Sequence, residues 1–369
     1  MRIVAVAVAH VPVNSRGDWL FISLRTDGGL AGYGEISQSG DDALATWFMK
    51  ERVGPALMTM ELGAIGGVMG ELRRRFPNHA NGMSAVGTVL AGVELALWDL
   101  RARSLGVPLY ELFGGRLHDR IKLYANINRG AVDRSCGGFA TAAAQAVAEG
   151  FEGVKCAPFD GLRWGYGGLR DGVKGIDAGV ARVAAVRDAI GPGPALMVDC
   201  HSRLSRELAL YVIEALGPYR LTWLEEPLAL VDGGHDGATL GERSQIPIAG
   251  GESVADASAG FQLLKHGGVS VLMPDIKCCG LWTARVLSHL AEGLCIPVSP
   301  HNPSGPVATM GSAHLAAALP NFLALEFPWG EVPWRARLTV PEECVRDGSL
   351  ILPSGPGLGI DLNEFPYET

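Results

Sequence analysis

The amino-acid sequence predicts a mixed α/β protein in which an α+β domain precedes a β/α barrel. Three observations support this prediction. Short apolar runs alternate with helical stretches from residue 119 onward, residues 1–118 form a separate block of strands followed by helices, and residues 340–369 return to a Pro- and Gly-rich, strand-like composition. The chain has 369 residues, which suits two domains or one large barrel with an attachment.

The first block is predicted to be an α+β domain of residues 1–118. Residues 1–8 and 19–24 are apolar and strand-like, and we interpret them as a hairpin rather than a targeting segment because the first run is short. Residues 41–118 are mainly helical. Their clearest apolar stripe at helical spacing runs from Val86 to Leu100, and it stops near Gly106 and Pro108.

The second block, residues 119–339, contains the predicted barrel strands. Buried parallel strands are short, almost continuously apolar and separated by helices. Eight runs fit this description: 121–127, 153–156, 196–200, 221–224, 246–249, 269–273, 296–299 and 323–327. Eight such units predict a β/α barrel. Residues 340–369 are predicted to pack back onto the N-terminal domain.

The ends of these runs carry a concentration of ionisable and amide side chains. A β/α barrel performs its chemistry at the carboxyl ends of its strands, whereas a purely structural barrel has no need of charge there. The residues at or just beyond the run ends are Asn126, Asn128, Lys155, Asp199, His201, Glu225, Glu226, Glu252, Asp275, Lys277, His301 and Glu326. This pattern predicts an active site.

Asp199, Glu225 and Glu252 end three successive predicted strands. Since adjacent strands lie about 4.8 Å apart, the three carboxylates can meet, and a hard divalent cation would relieve their mutual repulsion. Oxygen ligands alone favour Mg²⁺ over Zn²⁺. The sequence therefore predicts a magnesium site. The alternative is that each acid forms a salt bridge with an arginine on a neighbouring loop.

Several motifs together resemble those of a known family. They are Val198-Asp199, residues 223–227 (Trp-Leu-Glu-Glu-Pro), residues 251–253 (Gly-Glu-Ser), and the helical residues 93–100 with residues 109–115 after them. This ordered set is similar to that of the enolase superfamily, in its mandelate racemase and muconate lactonizing enzyme group, and it covers essentially the whole chain. The resemblance implies a modified (β/α)7β TIM-type barrel with a capping domain that the C-terminal segment completes. It also implies that Glu225, and not Glu226, is the metal ligand.

Asp275, in Pro274-Asp275, and His301, in residues 299–303 (Ser-Pro-His-Asn-Pro), resemble the Asp–His dyad of that family. A carboxylate bonded to one ring nitrogen fixes the tautomer of an imidazole and raises its basicity. The resemblance implies that His301 removes the proton alpha to the substrate carboxylate.

Lys155 and Glu326 are expected to stabilise negative charge on the substrate. Removal of a proton next to a carboxylate produces an ene-diolate, which Lys155 and Mg²⁺ would stabilise electrostatically. Glu326 matches the acid that hydrogen-bonds the developing ene-diolate in racemases. That role requires a protonated Glu326 with a raised pKa. The alternative for Glu326 is a salt bridge at the barrel rim.

One position departs from the racemase pattern. Racemases carry Lys-x-Lys on the second strand, with the second lysine as a catalytic base, whereas this sequence has Lys155-Cys156-Ala157. Because Ala157 cannot accept a proton, two-base racemisation through this position is not expected.

His201 indicates a dehydratase instead. Asp199-Cys200-His201 resembles the Asp-x-His motif of sugar-acid dehydratases such as galactonate and mannonate dehydratases, in which the histidine assists the departure of the beta-hydroxyl group. Hydroxide is a poor leaving group and needs a general acid. The alternative for His201 is a residue that orients Asp199.

We therefore expect a magnesium-dependent dehydratase, a carbon–oxygen lyase, that acts on an aldonate or aldarate. It would remove the alpha proton and eliminate water from the beta carbon. The alternatives are a racemase, epimerase or cycloisomerase acting on a hydroxy acid or lactone, and a non-catalytic metal-binding barrel. The joint presence of Lys155, Asp275 and His301 counts against the last alternative. The choice of sugar acid stays open.

The composition indicates which classes of binding partner to expect. A net charge of −8 argues against nucleic acid, since phosphate binding needs a basic surface, and no apolar stretch approaches the ~20 residues that span a membrane. Seven cysteines without CxxC spacing argue against a disulfide framework and for reduced thiols in the cytoplasm. The expected partners are a small-molecule carboxylate substrate and further copies of the chain, in a homo-oligomer from dimer to octamer.

Two loops are candidates for substrate contact. A long loop is predicted over the site at residues 159–175, where it would close on the substrate unless it is a solvated insertion or an oligomer contact. Its large side chains are Arg163, Trp164, Tyr166 and Arg170. The hairpin turn at residues 14–16 matches the specificity loop of the family and is short.

Overall fold

The structure is a computed structural model that describes residues 1–15, 17–37, 40–77, 84–162, 168–230 and 235–363, with the side chains of residues 168–171 excepted. Strands followed by helices occupy the chain up to residue 113, and strands alternate with helices beyond that point. This order confirms the predicted mixed α/β fold class.

The N-terminal part combines an antiparallel sheet with helices. Its strands are β1 (Ile3–Asn14), β2 (Gly17–Thr26) and β3 (Ala31–Glu35). Its helices are α1 (Asp42–Phe48), α2 (Gly54–Met58), α3 (Ile65–Arg75) and α4 (Ala85–Leu105), with a π-helical turn at Met49–Val53. The predicted apolar stripe lies in α4. This helix begins after Ser84, whose hydroxyl accepts a hydrogen bond from the Gly87 N–H, and it ends at the left-handed Gly106.

Helix α4 packs directly on β3 because two glycines let the backbones touch. A Cβ on Gly34 would lie 2.0 Å from the carbonyl oxygen of Gly92, so a side chain at this position would separate the helix from the sheet. Around this contact, apolar side chains such as Ile22, Leu24 and Val93 form a core separate from that of the barrel. The N-terminal sheet and its helices therefore pack together around one shared core.

Parallel strands close into a barrel. They are β4 (Ile121–Asn126), β5 (Gly153–Cys156), β6 (Ala195–Asp199), β7 (Trp223–Glu225), β8 (Ile248–Gly250), β9 (Val271–Leu272) and β10 (Leu325–Phe327). From β4 to β9 each strand pairs with the next, and β10 pairs with β4. The predicted barrel is therefore present.

The seventh predicted strand, residues 296–299, is reduced to one residue that forms an isolated bridge on each side, so its predicted extent was wrong. Val298 pairs with Leu272 on one side and with Phe322 on the other. Pro297 has no N–H to donate to a ladder, which interrupts the regular pairing. The Pro297 carbonyl and the Ser299 N–H still bond to the backbone of Leu272, and these bonds hold the following segment at the barrel mouth.

Helices cover the outside of the barrel. They are α5 (Cys136–Ala148), α6 (Gly168–Ile190), α7 (Arg206–Leu216), α8 (His235–Arg243), α9 (Ala257–Lys265), α10 (Ile276–Cys279), α11 (Leu281–Gly293) and α12 (Pro306–Ala317). Because α6 begins at Gly168, the second half of the predicted loop 159–175 is helical instead. Arg163, Trp164 and Tyr166 lie outside the described residues, as do Arg16 and the side chain of Arg170.

An apolar floor fills the barrel interior. It consists of Tyr124, Met197, Trp223, Ala249, Val271, Met273 and Ala324. Side chains two residues apart on a strand point to the same side. Met197 and Asp199 therefore share one side of β6, and Trp223 and Glu225 share one side of β7. The acidic ends of these strands stand next to the apolar floor.

The C-terminal segment contacts both the barrel and the N-terminal part. Its strands are β11 (Thr339–Val340), β12 (Val345–Arg346), β13 (Ser349–Leu350) and β14 (Asp361–Leu362). Strand β13 pairs antiparallel with β4. The Leu358 N–H donates to the Asp99 carboxylate on α4 at 2.7 Å, and Arg103 on the same helix forms an ion pair with Asp361 at 2.9 Å.

Within the described part of the chain, no helix combines the length and the hydropathy that a membrane crossing requires. All seven cysteines are free thiols, and Cys156, Cys200, Cys278 and Cys279 are buried.

Candidate active site

Three carboxylates meet at the carboxyl ends of β6, β7 and β8. Asp199 and Glu225 are the last residues of their strands and are partners in the register of the sheet. Glu252 follows two residues after β8, in a turn that Gly251 makes with a φ of +110°. Asp199 and Glu225 are buried, and the side chain of Glu252 is 15% exposed. Asp199 and Glu225 thus lie side by side, and Glu252 follows the next strand of the barrel.

The chemistry of this cluster suits a hard divalent cation. Glu225, Glu252 and His301 each offer a ligand atom, and these atoms lie within 4.8 Å of one another. This group contains His301 in place of the predicted ligand Asp199. Glu252 Oε2 is buried and accepts no hydrogen bond from any described residue. Burial raises the pKa of Glu225 to about 7 and that of Glu252 to about 8. The ion pair of Glu252 Oε2 with His301 Nε2 at 3.2 Å is its described polar contact. Buried carboxylates with raised pKa values form an environment that Mg²⁺ binding would stabilise.

Lys155, at the end of β5, is fully buried among the carboxylates. Its Nζ lies 2.5 Å from Glu225 Oε1, 3.0 Å from Glu326 Oε1 and 3.7 Å from Asp199 Oδ2. Burial alone would lower the pKa of Lys155, but Glu225 and Glu326 outweigh it, so the pKa lies well above its usual value. Lys155 is therefore a permanent cation inside the barrel.

His301 and Asp275 form a buried pair on the Glu252 side of the cluster. His301 Nδ1 donates to Asp275 Oδ2 at 3.0 Å, and Nε2 faces Glu252 Oε2 at 3.2 Å and Glu326 Oε2 at 3.8 Å. Burial would lower the pKa of His301, but the three carboxylates raise it to about 10. One ring nitrogen is thus anchored, while the other points into the acidic cluster.

Glu326 lies in the barrel interior, and the expectation of a raised pKa was wrong. Burial alone would raise the pKa, but Lys155 and His301 more than offset it, so the pKa is lowered. The carboxylate also accepts hydrogen bonds from Asn126 Nδ2 at 2.5 Å and from the Asn302 N–H at 2.9 Å. These donors and cations favour the ionised carboxylate of Glu326 over the protonated acid that the prediction required.

His201 lies on the Asp199 side of the cluster, with its backbone in the left-handed region at φ 48°. Its Nε2 is 2.9 Å from Asp199 Oδ2 and its Nδ1 is 2.5 Å from Asp160 Oδ1. Asp199 makes the largest contribution to a pKa of about 11 for His201. This contact is the one expected if His201 orients Asp199, and it also keeps the imidazole protonated, as a general acid requires.

Asp160, the residue that anchors His201, was not predicted from the sequence. Asp160 accepts a hydrogen bond from Arg134 Nη2 at 2.8 Å and lies 3.6 Å from Arg203 Nε. Its position five residues after Lys155, in the loop that follows β5, was the available signal.

Lys277 was predicted at the active site because it follows a strand end, but its side chain points away from the acidic cluster. Its Nζ donates to the Ser37 carbonyl at 3.5 Å.

Glu226 stands apart from the acidic cluster. Its carboxylate accepts hydrogen bonds from Ser202 Oγ at 2.8 Å and from the Gly251 N–H at 3.2 Å. It therefore ties together the loops that follow β6 and β8.

Comparison with known families covers most of the chain. Residues 3–114 match the family model described as mandelate racemase / muconate lactonizing enzyme, N-terminal domain, and residues 138–365 match the one described as enolase C-terminal domain-like.

Similar proteins include named sugar-acid dehydratases. The chain is 30% identical to the D-xylonate dehydratase of Haloferax volcanii over 95% of this chain and 85% of that protein. It is 35% identical to the D-gluconate dehydratase of Thermoproteus tenax over 76% of this chain, and this match spans 56% of that enzyme's length. The crystal structure of a mandelate racemase/muconate lactonizing enzyme-like protein from Rubrobacter xylanophilus is 30% identical, with a TM-score of 0.85 over 98% of this chain and 95% of that one.

Proposed function

The chain belongs to the enolase superfamily, in the mandelate racemase and muconate lactonizing enzyme group, and on this premise we propose that it is a magnesium-dependent dehydratase of sugar acids. The substrate is an aldonate or aldarate with hydroxyl groups on its alpha and beta carbons. Loss of the alpha proton and of the beta-hydroxyl group releases one water molecule. The enol that remains tautomerises to a 2-keto-3-deoxy acid, so the reaction needs no oxidant or reductant.

The observation that carries the proposal is a pair of carboxylate-anchored imidazoles flanking the acidic cluster. His301 Nδ1 is bound by Asp275 at 3.0 Å, and His201 Nδ1 by Asp160 at 2.5 Å. The Nε2 atom of His301 faces Glu252, and that of His201 faces Asp199. Elimination of water needs a base for the alpha proton and an acid for the leaving hydroxyl. Two anchored imidazoles can fill these two roles.

We assign the base to His301 and the acid to His201. Asp275 holds the Nδ1–H of His301. Mg²⁺ held by the neighbouring carboxylates would offset the negative charge that raises the pKa of His301, and this would leave Nε2 unprotonated and able to take the alpha proton. His201 carries its proton between Asp160 and Asp199, and it would deliver that proton to the departing hydroxyl group. Ala157, which is buried in the position of the second racemase lysine, supplies no base, and this argues against the alternative of two-base racemisation.

Asp199, Glu225 and Glu252 would hold Mg²⁺, which as a Lewis acid makes the alpha proton of a bound carboxylate easier to remove. Lys155 would add a fixed positive charge where negative charge develops on the substrate. Glu326, being ionised, fits a supporting role: it holds Lys155 at 3.0 Å and the Asn302 N–H at 2.9 Å.

The test is a panel of aldonates and aldarates assayed with Mg²⁺ for 2-keto-3-deoxy acid formation. We expect turnover of at least one member and loss of that turnover in His301→Asn. Epimerisation of panel members without any keto acid would instead favour an isomerase. A protein that neither forms keto acid nor exchanges an alpha proton with solvent would be a non-catalytic barrel.

A further inference from the structure

Glu35 is a buried carboxylate of the N-terminal part that caps a barrel helix. It ends β3 and is fully buried. Its Oε1 accepts from the Gly305 N–H at 2.8 Å, and its Oε2 accepts from the Ala308 N–H at 2.9 Å. These amides belong to the start of α12, where Gly305 offers no capping side chain and every helical residue is buried. A buried helix start needs acceptors for its free N–H groups, and Glu35 supplies them from outside the barrel.

The capped helix start lies four residues after His301. Between them, the Ser304 carbonyl accepts from Arg335 Nη1 at 2.6 Å, and Asn302 Nδ2 donates to Thr309 Oγ1 at 2.8 Å. The segment 301–305 is therefore fixed at one end by β10 and Glu326, and at the other by Glu35.

The carboxyl end of β3 also contacts the segment that carries Asp275, the partner of His301. Ser37, two residues after Glu35, donates its hydroxyl to Glu35 Oε1 at 3.0 Å, and its carbonyl faces Lys277 Nζ at 3.5 Å. The Lys277 N–H in turn donates to Asp275 Oδ1 at 2.7 Å. The end of β3 thus touches the segments that carry both members of the pair.

We propose that Glu35 is a positioning residue that holds His301 in register with Asp275. The proposal builds on the proposed function, in which His301 is the base. Among the described residues, the Glu35 carboxylate forms hydrogen bonds with Ser37, Gly305 and Ala308 and with none of the proposed metal ligands. It acts through the backbone of residues 301–305, so that the orientation of the base depends on the docking of the N-terminal part.

The chain provides a matched control in Glu94. This buried residue of α4 is also a carboxylate from the N-terminal part that caps a barrel helix, because its Oε1 accepts from the Trp282 N–H of α11 at 2.7 Å. Helix α11 does not carry His301. Glu94→Gln and Glu35→Gln both neutralise a buried carboxylate that caps a barrel helix. Glu94→Gln loses the ion pair with Arg73 at 3.3 Å, whereas Glu35→Gln loses one of its two bonds to the backbone of α12, so only the second weakens the anchor of segment 301–305.

The first measurement is the NMR resonance of the His301 Nδ1–H, assigned by its loss in His301→Asn. We expect Glu35→Gln to shift or remove this resonance and Glu94→Gln to leave it unchanged. The second measurement is steady-state kinetics with Mg²⁺ and the best substrate of the panel. Misplacement of a base by a fraction of an ångström lowers turnover more than binding, so we expect Glu35→Gln to lower kcat about tenfold or more while KM stays within about twofold. Glu94→Gln should change kcat less than about twofold.

A second variant reaches the same contact from the barrel side. A Cβ on Gly305 would lie 2.9 Å from Glu35 Oε2. Gly305→Ala should therefore change the His301 resonance and lower kcat in the same way as Glu35→Gln. If Glu35→Gln does not fold, Gly305→Ala tests the proposal in its place. The proposal is overturned if the His301 resonance survives in these variants, or if Glu94→Gln lowers kcat equally. If the wild-type protein turns over no sugar acid, the proposed function is wrong. The His301 Nδ1–H resonance in the variants still tests the role of Glu35 in that case.

Discussion

Lys155 and Glu225 form an ion pair inside the barrel, with 2.5 Å between Nζ and Oε1 and neither side chain exposed to solvent. Glu326 and Asp199 approach the same ammonium group at 3.0 Å and 3.7 Å. A single cation therefore offsets the charge of carboxylates from three different strands, which makes Lys155 a structural element of the site as well as a candidate catalytic group.

Replacing Lys155 by Met should destabilise the metal-free protein. Breaking a buried ion pair by removing one partner costs about 3–5 kcal/mol, because the remaining charge stays buried. Added Mg²⁺ should raise the melting temperature of Lys155→Met by more than it raises that of the wild type, since a bound cation would replace part of the missing charge. Thermal unfolding with chelator and with Mg²⁺ measures both effects. Equal shifts in the two proteins would contradict this account.

Glu252→Gln should lose affinity for Mg²⁺ and still fold. The substitution keeps the shape of the side chain and removes its charge, and His301, its ion-pair partner at 3.2 Å, also contacts Asp275. Glu226→Gln is the matched control, since Glu226 bonds Ser202 and Gly251 and should keep its Mg²⁺ affinity. Titration calorimetry compares the two variants. Chelation should also abolish keto-acid formation and Mg²⁺ should restore it; full activity of metal-free enzyme would remove magnesium from the mechanism.

His301→Asn and His201→Asn should separate the two halves of the reaction. Loss of the base should abolish both alpha-proton exchange and dehydration, by ~10²–10⁴-fold or more. His201→Asn should block dehydration and preserve exchange, because His301 remains. The measurement is deuterium incorporation into recovered substrate with keto-acid formation in parallel. Unimpaired dehydration in His201→Asn would assign both proton transfers to His301.

Asp160→Asn should weaken dehydration by ~10–100-fold, the usual effect of removing a group that orients a functional side chain. The amide can no longer hold the His201 Nδ1–H as a carboxylate does, while exchange of the alpha proton through His301 should be retained. Asp133→Asn is the control, because its carboxylate bonds only Ser135 among the contacts described for it. The same rate of keto-acid formation in both variants would remove Asp160 from the mechanism.

The buried His314 should make the protein less stable in acid. Burial lowers the pKa of His314 to about 4, while its Nδ1 accepts from the Tyr110 N–H and its Nε2 donates to the Leu358 carbonyl. The unfolded chain binds this proton near pH 6.5 and the folded chain only near pH 4. The contribution to stability is therefore complete above about pH 6.5 and is lost as pH falls toward 4, at roughly 1.4 kcal/mol per pH unit. Urea unfolding at pH 7, 6 and 5 measures the free energy of unfolding at each pH. Between pH 7 and 5 this free energy should fall less for His314→Gln than for the wild type or for the surface variant His289→Gln.

Strand positions were predictable because burial on both faces leaves a continuous apolar run. Gly153–Cys156 matches its predicted bounds, and β10 falls within its predicted run. Parallel strands end at one face, so the sequence placed Asp199, Glu225 and Glu252 at the same end of the barrel. It did not indicate that the closest group of ligand atoms would be that of Glu225, Glu252 and His301. The run at 296–299 failed as a regular strand since the apolar pattern does not register that Pro297 lacks a donor.

Contacts between loops could not be predicted in the same way. Asp160 reaches His201 only because two loops from neighbouring strands fold toward each other, and no periodicity marks that approach. The ionisation of Glu326 likewise depends on the distance to Lys155 and on the amides of Asn126 and Asn302. The family resemblance suggested a protonated acid, but the charge state follows from these neighbours.

The contact between Leu358 and Asp99 has a consequence for synthesis on the ribosome. Asp99 is buried on α4 and receives hydrogen bonds from the Tyr33 N–H and from the Leu358 N–H. Residues 33 and 99 leave the ribosome long before residue 358, so the nascent N-terminal part carries a carboxylate that lacks one of its native donors until residue 358 has also emerged. The native hydrogen bonding of Asp99 is therefore completed only after the barrel strands β4 to β10 have been made.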